Sequence, residues 1–444
     1  MSSNISFLNS IDKGRILKNI FGQSSTFLSS IVIQLLFVPL MLITWGPKYT
    51  GIWLFITSLP SVISFWKLSF SEACRQQLIL SGESSKNKIY SMSLILTFLV
   101  IIIMSIFFFS VNIFYLDNFI IFKDTKIDYL NFILVIIFIS FSLEIINNNT
   151  LVISQYKGKL YITNYIQNGF LLFEKLIIPL CGFFTDKIIF AALLILLLKI
   201  LKYFFTKYIL FKNEIFFIFK KNLLKKNEIK KIFNKSLKFY YNDVSLILNT
   251  SGLIFILGTF FSGEIVAYVT AANTLFRFLI IKLCSISTKI LSYEIPNFFK
   301  KNQILKLKSI LNLHKKITYL IIVLFLIISF LIGDFFFNIW TSGLFKNYEN
   351  VIFLLICLEV SIYILCSNQL ILGMYLNKLS NITFLSLIIT VISYILIIIT
   401  LNINLNLENI FILLIIKNLI IYVFYLNFNY NLRKIIFNKI INNK

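Results

Sequence analysis

The sequence has little of what soluble enzymes use for chemistry. It contains one histidine, and its five cysteines form no Cys-x-x-Cys spacing. A disulfide framework and a zinc site are therefore not indicated, and the cysteines are predicted to fill the core. The single histidine, His314, lies in a lysine-rich stretch with Lys315 and Lys316, which favours a solvated loop residue and excludes any mechanism that needs two histidines.

Motifs for nucleotide use and hydrolysis are also missing. The sequence has no Gly-x-x-x-x-Gly-Lys-Ser/Thr phosphate loop, no Gly-x-Ser-x-Gly and no His-Glu-x-x-His. We therefore expect no direct use of ATP, no cofactor and no enzymatic activity.

Charged residues are scarce and apolar residues dominate. Only 14% of the 444 residues are charged and 58% are hydrophobic, whereas soluble domains are about 45 to 50% apolar. A helix crosses the bilayer in about 20 residues, so twelve crossings use about 240 positions. This composition predicts an all-α, polytopic membrane protein without a large soluble domain.

Twelve apolar stretches are long enough to span the membrane. They are 24–44, 51–70, 90–116, 129–153, 161–184, 188–210, 237–258, 264–290, 317–337, 350–373, 380–401 and 408–428. A polar interval divides them six and six, which predicts an N-terminal lobe at 1–210, a basic linker at 211–236 and a C-terminal lobe at 237–444.

Most of the Lys and Arg residues behind the net charge of +24 lie between the predicted spans. With the amino terminus inside, 33 of the 42 Lys and Arg fall on the cytoplasmic side, twelve of them between spans six and seven, and only five fall outside. Cytoplasmic loops are enriched in positive charge, so both termini are predicted to be cytoplasmic and nucleic acid is not expected as a partner. The basic linker is either an amphipathic segment on the anionic inner leaflet or an ordinary connection.

Seven ionisable residues fall near the middle of predicted spans. They are Glu144, Glu174, Lys175, Arg277, Lys282, Glu359 and Lys417. Each costs roughly 2.5 to 3.5 kcal/mol at the bilayer centre, so they are expected to face a helix bundle or a wet cavity. Some can pair between helices, but four cations against three anions leave a positive excess.

A positive interior suits an anionic cargo such as a phosphate or pyrophosphate head group. Arg277 can bind phosphate in a bidentate manner, with Lys175, Lys282 and Lys417 as point charges. The three glutamates are candidates for binding a coupling ion.

Two stretches resemble a known family. The first is Trp45-Gly46-Pro47-Lys48-Tyr49-Thr50-Gly51-Ile52-Trp53-Leu54, with Lys67-Leu68-Ser69 at the place of an Asp-Leu-Gly-like motif and Glu72-Ala73-Cys74-Arg75-Gln76 after it. The second is Asn242-Asp243 with Gly263-Glu264-Ile265-Val266-Ala267-Tyr268, followed by Pro296. They resemble bacterial polysaccharide flippases, the O-antigen and capsule repeat-unit (Wzx-type) transporters.

The resemblance implies the fold of the multidrug and oligosaccharidyl-lipid exporters, with two six-helix lobes around a cavity that opens alternately to either side. The implied cargo is an undecaprenyl-pyrophosphate-linked oligosaccharide, flipped across the inner membrane of a bacterium during O-antigen, lipopolysaccharide or capsule synthesis. The implied partners are H⁺ or Na⁺, membrane lipids, and a polysaccharide polymerase with other assembly proteins.

Two alternatives differ from a flippase in the features that they need. A membrane polysaccharide polymerase or glycosyltransferase usually has a large extracytoplasmic loop, whereas the large loops here are predicted inside. A drug exporter of the same fold would need an acid-rich cavity, and the predicted interior is positive.

The charge distribution makes a topological prediction. Reporter fusions at Lys225 and Lys444 should both read cytoplasmic, and a fusion at Lys346 should read periplasmic, because positive loops stay inside. Paired phosphatase and fluorescent-protein reporters at each site measure this. An outward reading at Lys225 would contradict the twelve-span scheme.

Overall fold

The structure, a computed structural model, is dominated by helices over the residues that it describes. These are 13–63, 71, 74, 78, 86–115, 119–123, 127–156, 159–185, 187–212, 233, 236, 240–241, 244–278, 280–284, 291, 295, 298, 303–346, 350–375 and 380–441. The motif residues 67–69, 72–73, 75–76, 242–243 and 296, and most of the linker at 211–236, lie outside this set. The predicted all-α fold class is confirmed.

Met1–Asp243 forms one compact unit, unit 1. Its helices are α1 Lys13–Ile63, α2 Lys86–Tyr115, α3 Ile120–Lys123, α4 Leu130–Tyr156, α5 Leu160–Phe184 and α6 Ile188–Lys212. The most extensive contacts in this unit join α1 to α5 and α4 to α6. Four helices, α1, α4, α5 and α6, therefore carry its interior.

Helix α1 folds back on itself at Gly46. This glycine has φ 70°, a left-handed conformation that glycine adopts without strain. The Thr50 hydroxyl donates to the Met41 carbonyl at 3.0 Å, although nine residues of straight helix would cover about 13 Å. The apolar segment Ser29–Val62, 34 residues long, thus forms two arms, which correspond to the first two predicted spans.

Val244–Lys444 forms the second unit, unit 2. Its helices are α7 Val244–Phe260, α8 Gly263–Cys284, α9 Ile304–Trp340, α10 Asn350–Tyr375, α11 Ser380–Ile403 and α12 Leu407–Ile441. Two stretches are wound as π-helix, Leu248–Gly252 in α7 and Asn273–Phe278 in α8. Helix α12 packs along α10 and α11.

Ten helices in the described part of the chain are long and apolar enough to cross a membrane, and α7 is a shorter apolar helix. Because α1 reverses at Gly46, these helices account for the twelve predicted crossings. The protein is therefore a multi-pass membrane protein.

Helix α6 shows how the sequence is sorted between lipid and interior. Its buried face carries Ala191, Lys202 and Thr206, while Phe204 and Phe211 are 63% and 70% exposed. Lipid is as apolar as leucine, so helices in a membrane place small and polar residues between themselves. All five cysteines are buried and free, as predicted.

The prediction for His314 is wrong. Helix α9 begins at Ile304, 13 residues before the predicted span, and His314 is only 4% exposed. Leu307, Leu311, His314 and Thr318 are all buried at helical spacing, whereas Lys308 and Lys316 are exposed. The lysine-rich stretch is therefore the polar face of an amphipathic helix.

Helices α1 and α5 meet at a glycine. A methyl group on Gly182 would overlap the indole ring of Trp45. That indole is buried and donates from Nε1 to the Ile178 carbonyl at 3.2 Å. Gly169, on the same helix, has nothing within 4 Å of the corresponding position.

These two glycines give a matched pair of substitutions. Gly182→Ala should lower the free energy of unfolding by about 1 to 3 kcal/mol, because the core must shift to admit the methyl group. Gly169→Ala should be neutral or stabilising by up to about 1 kcal/mol, because alanine favours the helix. Thermal unfolding in detergent compares them, and equal melting temperatures would contradict the close contact.

Candidate functional site

Unit 1 contains a cluster of charges where α4, α5 and α6 meet, with Lys202 buried and Glu144, Glu174 and Lys199 partly buried. Lys202 on α6 donates to both carboxylate oxygens of Glu144 on α4, at 2.7 and 2.9 Å. Lys199, one turn earlier on α6, lies 2.5 Å from Glu174 Oε2 on α5 and 3.3 Å from Glu144 Oε2. Two glutamates that are 30 residues apart in sequence thus share one lysine.

Lys175 adds a positive charge to this unit. Its ammonium lies 4.0 Å from the centre of the Phe37 ring on α1, a cation–π contact. Within the described part of the chain it forms no ion pair. Three lysines therefore face two glutamates in the interior of unit 1, which leaves one excess positive charge.

The sequence pattern did not single out Lys199 and Lys202. It groups them with the twelve inner cations between spans six and seven, whereas the structure places both near the middle of α6. The available signal was their spacing: i and i+3 share one helix face, and both are embedded in a run of Leu, Ile and Phe.

Unit 2 contains a second cluster, centred on Glu359 of α10. Arg277 of α8 donates from Nη1 to Glu359 Oε2 at 3.1 Å. Asn418 of α12 donates from Nδ2 to Glu359 Oε1 at 2.8 Å. The guanidinium carbon also lies 4.8 Å from the Tyr363 ring centre. Arg277 is 8% exposed and Glu359 is 2% exposed, so each carboxylate oxygen has a donor away from bulk water.

Lys417 lies beside this pair and is fully buried. Its ammonium donates to Asn249 Oδ1 of α7 and lies 5.9 Å from the Tyr394 ring centre. It forms no ion pair with any residue that the structure describes. An ammonium held only by an amide oxygen in a membrane interior is costly, and such residues mark functional sites.

Both π-helical stretches supply this cluster. Asn249 lies in the π-helix of α7 and Arg277 in that of α8. The Leu248 carbonyl in the first stretch accepts from the Tyr394 hydroxyl at 2.6 Å. A π-turn adds one residue to the helical repeat and frees backbone groups, and such turns are frequent at functional sites.

The structure thus sorts the seven predicted charges into two sets. Glu144 and Glu174 share a lysine in unit 1, and Lys175 lies on Phe37. Arg277, Glu359 and Lys417 meet in unit 2. Lys282 lies farther along α8, with its ammonium 5.1 Å from the Phe278 ring centre. The predicted members in unit 1 are two glutamates and one lysine, so a positive excess arises there only with Lys199 and Lys202. Among the described residues of the unit 2 cluster, two cations meet one glutamate.

Asn418 and Tyr394 are further members of the unit 2 cluster that the sequence did not single out. Asn418 directly follows Lys417, and a polar pair inside an apolar span was a usable signal. No signal in the sequence marks Tyr394, because tyrosine is common in this chain, with 21 residues.

Comparison with solved structures identifies the fold. The MATE transporter VcmN of Vibrio cholerae superposes with a TM-score of 0.62 at 10% identity over 93% of this chain and 96% of that one. An inward-facing multidrug resistance MATE family transporter of the MOP superfamily gives 0.59 at 13% identity over 92% and 96%. No family model and no curated protein matches the sequence.

A third similar structure is a MOP superfamily transporter from Pyrococcus furiosus, with a TM-score of 0.56 at 14% identity over 95% of this chain and 94% of that one. It is described as having a binding pocket of reverse polarity that suggests a different function. At these identities the likeness establishes the fold alone: this chain has the fold of MATE transporters of the MOP superfamily, as the sequence predicted. It does not decide between a flippase and a drug exporter.

The Arg277–Glu359 pair can be tested by a double-mutant cycle. Arg277→Met or Glu359→Leu alone should cost about 3 to 5 kcal/mol, because each leaves a buried charge without its partner. The double variant should cost less than the sum by about 1 to 3 kcal/mol. Thermal or steric-trap unfolding in micelles measures the coupling.

Asp334→Asn is the control for this cycle. Asp334 Oδ1 accepts from Asn338 Nδ2 at 3.2 Å on an exposed surface, where substitutions usually change stability by less than about 0.5 kcal/mol. Additive effects at Arg277 and Glu359 would show that the two residues do not interact.

Proposed function

We propose that this protein moves a lipid-linked oligosaccharide with a pyrophosphate group across the bacterial inner membrane by alternating access. It acts as a transporter and makes no covalent change in its cargo. The observation that carries the proposal is the positive excess inside each unit: Lys175 in unit 1 and Lys417 in unit 2 are interior cations without a carboxylate partner among the described residues.

Cations of this kind suit a di-anionic cargo better than a cationic drug. A buried ammonium without a counter-ion gains from an arriving phosphate oxygen, whereas it repels a cation. Arg277 contributes a planar fork with five donors, of which Nη1 is engaged by Glu359. Lys282 extends the positive charge of α8. These four residues are the proposed cargo-binding cations.

The same clusters offer a coupling mechanism through Glu144, Glu174 and Glu359. Each glutamate holds a cation that an anionic cargo can attract. Protonation of a glutamate releases its lysine or arginine to the cargo, and ionisation attracts that cation back and expels the cargo. Linkage requires that cargo binding in turn raises the proton affinity of the glutamate. Na⁺ in place of H⁺ would act through the same carboxylates.

The polar side chains near the clusters support a wet pathway. In the described part of the chain, Asn147 and Thr206 in unit 1 and Thr270 and Asn273 in unit 2 have buried side-chain atoms without a hydrogen-bond partner. Each lies within two helical turns of a cluster residue in sequence. Buried polar groups are nearly always satisfied, so these atoms favour water or cargo along the pathway.

A drug exporter is the second candidate, because a multidrug transporter shares the fold and three interior glutamates are present. The two functions differ in the charge of the cargo, which is anionic for the flippase and cationic for the drug exporter. Purified protein in proteoliposomes should translocate an undecaprenyl-pyrophosphate-linked oligosaccharide, detected by its exposure to an added glycosidase. It should not expel ethidium, the cationic probe. The opposite result would overturn the flippase proposal.

Single substitutions then test the cations. Lys417→Gln and Lys175→Gln should each slow oligosaccharide translocation by about tenfold to a hundredfold, since a hydrogen bond to a charged group is worth about 1.5 to 3 kcal/mol. Lys207→Gln is the control, because Lys207 is exposed and lies 4.4 Å from the Tyr203 ring centre. Equal translocation rates in all three variants would exclude a cargo-binding role for Lys417 and Lys175.

A further inference from the structure

A layer of polar side chains crosses unit 2 outside the charge cluster. It consists of His314 and Thr318 on α9, Asn368 and Gln369 on α10, and Asn429 on α12, and we call it the His314 layer. Four of the five residues are buried, with exposures of 4% for His314, 1% for Thr318, 6% for Gln369 and 5% for Asn429. Three separate helices thus turn polar groups inward at one level.

Hydrogen bonds connect parts of the layer. Asn429 Nδ2 donates to Gln369 Oε1 at 2.7 Å. The Tyr422 hydroxyl interacts with Gln369 and with Tyr319. The His314 ring faces the Asn368 amide. The five residues therefore belong to one packed region of α9, α10 and α12.

The layer nevertheless leaves many polar atoms without a partner. Among the described residues, twelve buried side-chain nitrogen and oxygen atoms make no hydrogen bond, and five of them belong to the layer. They are both ring nitrogens of His314, Thr318 Oγ1, Asn368 Nδ2 and Asn429 Oδ1, and a sixth, Arg433 Nε, lies one turn beyond Asn429. An unsatisfied buried polar atom costs about 1 to 3 kcal/mol, so such a concentration requires a polar ligand.

Apolar residues close the layer on both sides. Toward the start of α9 lies a buried cluster of Leu291, Ile295, Leu307, Leu311, Ile371, Leu372 and Leu432. Toward the Glu359 pair lies a second cluster of Cys366, Ile421 and Tyr425. A buried group of side chains with both donors and acceptors suits water, which makes about three hydrogen bonds in such places. Arg433, one turn beyond Asn429 on α12, is partly exposed.

We propose that the His314 layer is a buried, water-filled proton-binding site with the His314 imidazole as its titrating group. A hydronium ion gives its proton to the free ring nitrogen and leaves as water, and the reverse step releases it. Neutral imidazole has one donor and one acceptor, and the protonated ring has two donors. Water, Thr318 on the same face of α9 and the Asn368 amide can satisfy both forms.

The charged residues nearest to the layer along α9 and α12 are cations. They are Lys315 and Lys316, which follow His314, and Arg433, which lies one turn beyond Asn429. The Lys315 ammonium lies 5.4 Å from the Tyr319 ring centre. Helix α10 contributes the neutral Asn368 and Gln369, and α12 adds the neutral Tyr422. Among the described residues around His314 there is no carboxylate. A proton bound here is therefore held by water and amides alone, and it leaves readily.

Because His314 is the only histidine, it can be observed without assignment. Protein labelled with ¹⁵N-histidine in nanodiscs should give one imidazole whose ring nitrogens exchange with water and become protonated as the pH is lowered. Asn368→Leu and Thr318→Val should each shift that titration and weaken the water exchange. Thr318→Val keeps the side-chain shape, so it remains informative where Asn368→Leu fails to fold.

Asn338→Leu is the matched control. Asn338 lies on the same helix as His314, on an exposed surface at its far end, and its substitution should leave the imidazole signal unchanged. A ring that neither titrates nor exchanges with water would overturn the proposal. So would a titration that both layer substitutions leave unaffected.

A second measurement tests whether the site takes part in coupling. This test rests on the proposed transport function. His314→Gln should weaken the dependence of oligosaccharide translocation on an imposed pH gradient, which the three glutamates still support, while downhill exchange continues. Unchanged dependence would remove the site from coupling. Absence of translocation in the parent protein would overturn the proposed function and leave the imidazole result standing, so the two failures are distinguishable.

Discussion

The interior of this protein depends on one constraint: a charge in the hydrocarbon region must have a partner within the protein. Bulk water is absent there, so an isolated charge costs several kcal/mol, and each glutamate in the membrane interior is matched by a cation on another helix. These pairs fix which helices are neighbours. The contact of α6 with α4 and that of α8 with α10 each contain one of them.

The proposed function rests on the places where this pairing is incomplete. Lys417 is fully buried but is bound by an amide, and Lys175 rests on an aromatic ring. Folding alone would favour leucine at both positions. Retaining a cation there is consistent with a ligand that supplies the missing negative charge, and the proposed pyrophosphate group is such a ligand.

The two units bring their charged side chains together in different ways. Unit 1 uses regular helices and a network of four charged side chains that spans α4, α5 and α6. Unit 2 uses two π-turns, which bring Asn249 and Arg277 to the same cluster. The His314 layer adds polarity without an anion. In the proposed transport function, exchangeable protons are held at carboxylates and at a histidine.

The sequence alone determined the all-α fold, the membrane class and the presence of seven charged residues within apolar helices of spanning length, because hydropathy is a local property of the chain. Of the seven, Arg277, Glu359 and Lys417 are buried. The sequence did not determine which charged side chains pair with each other. Its pattern places Lys199 among the loop cations and His314 in solvent, although both lie on inward faces of helices. Whether a helical residue faces lipid, water or a neighbour depends on how the helices pack, and that is decided only by tertiary structure.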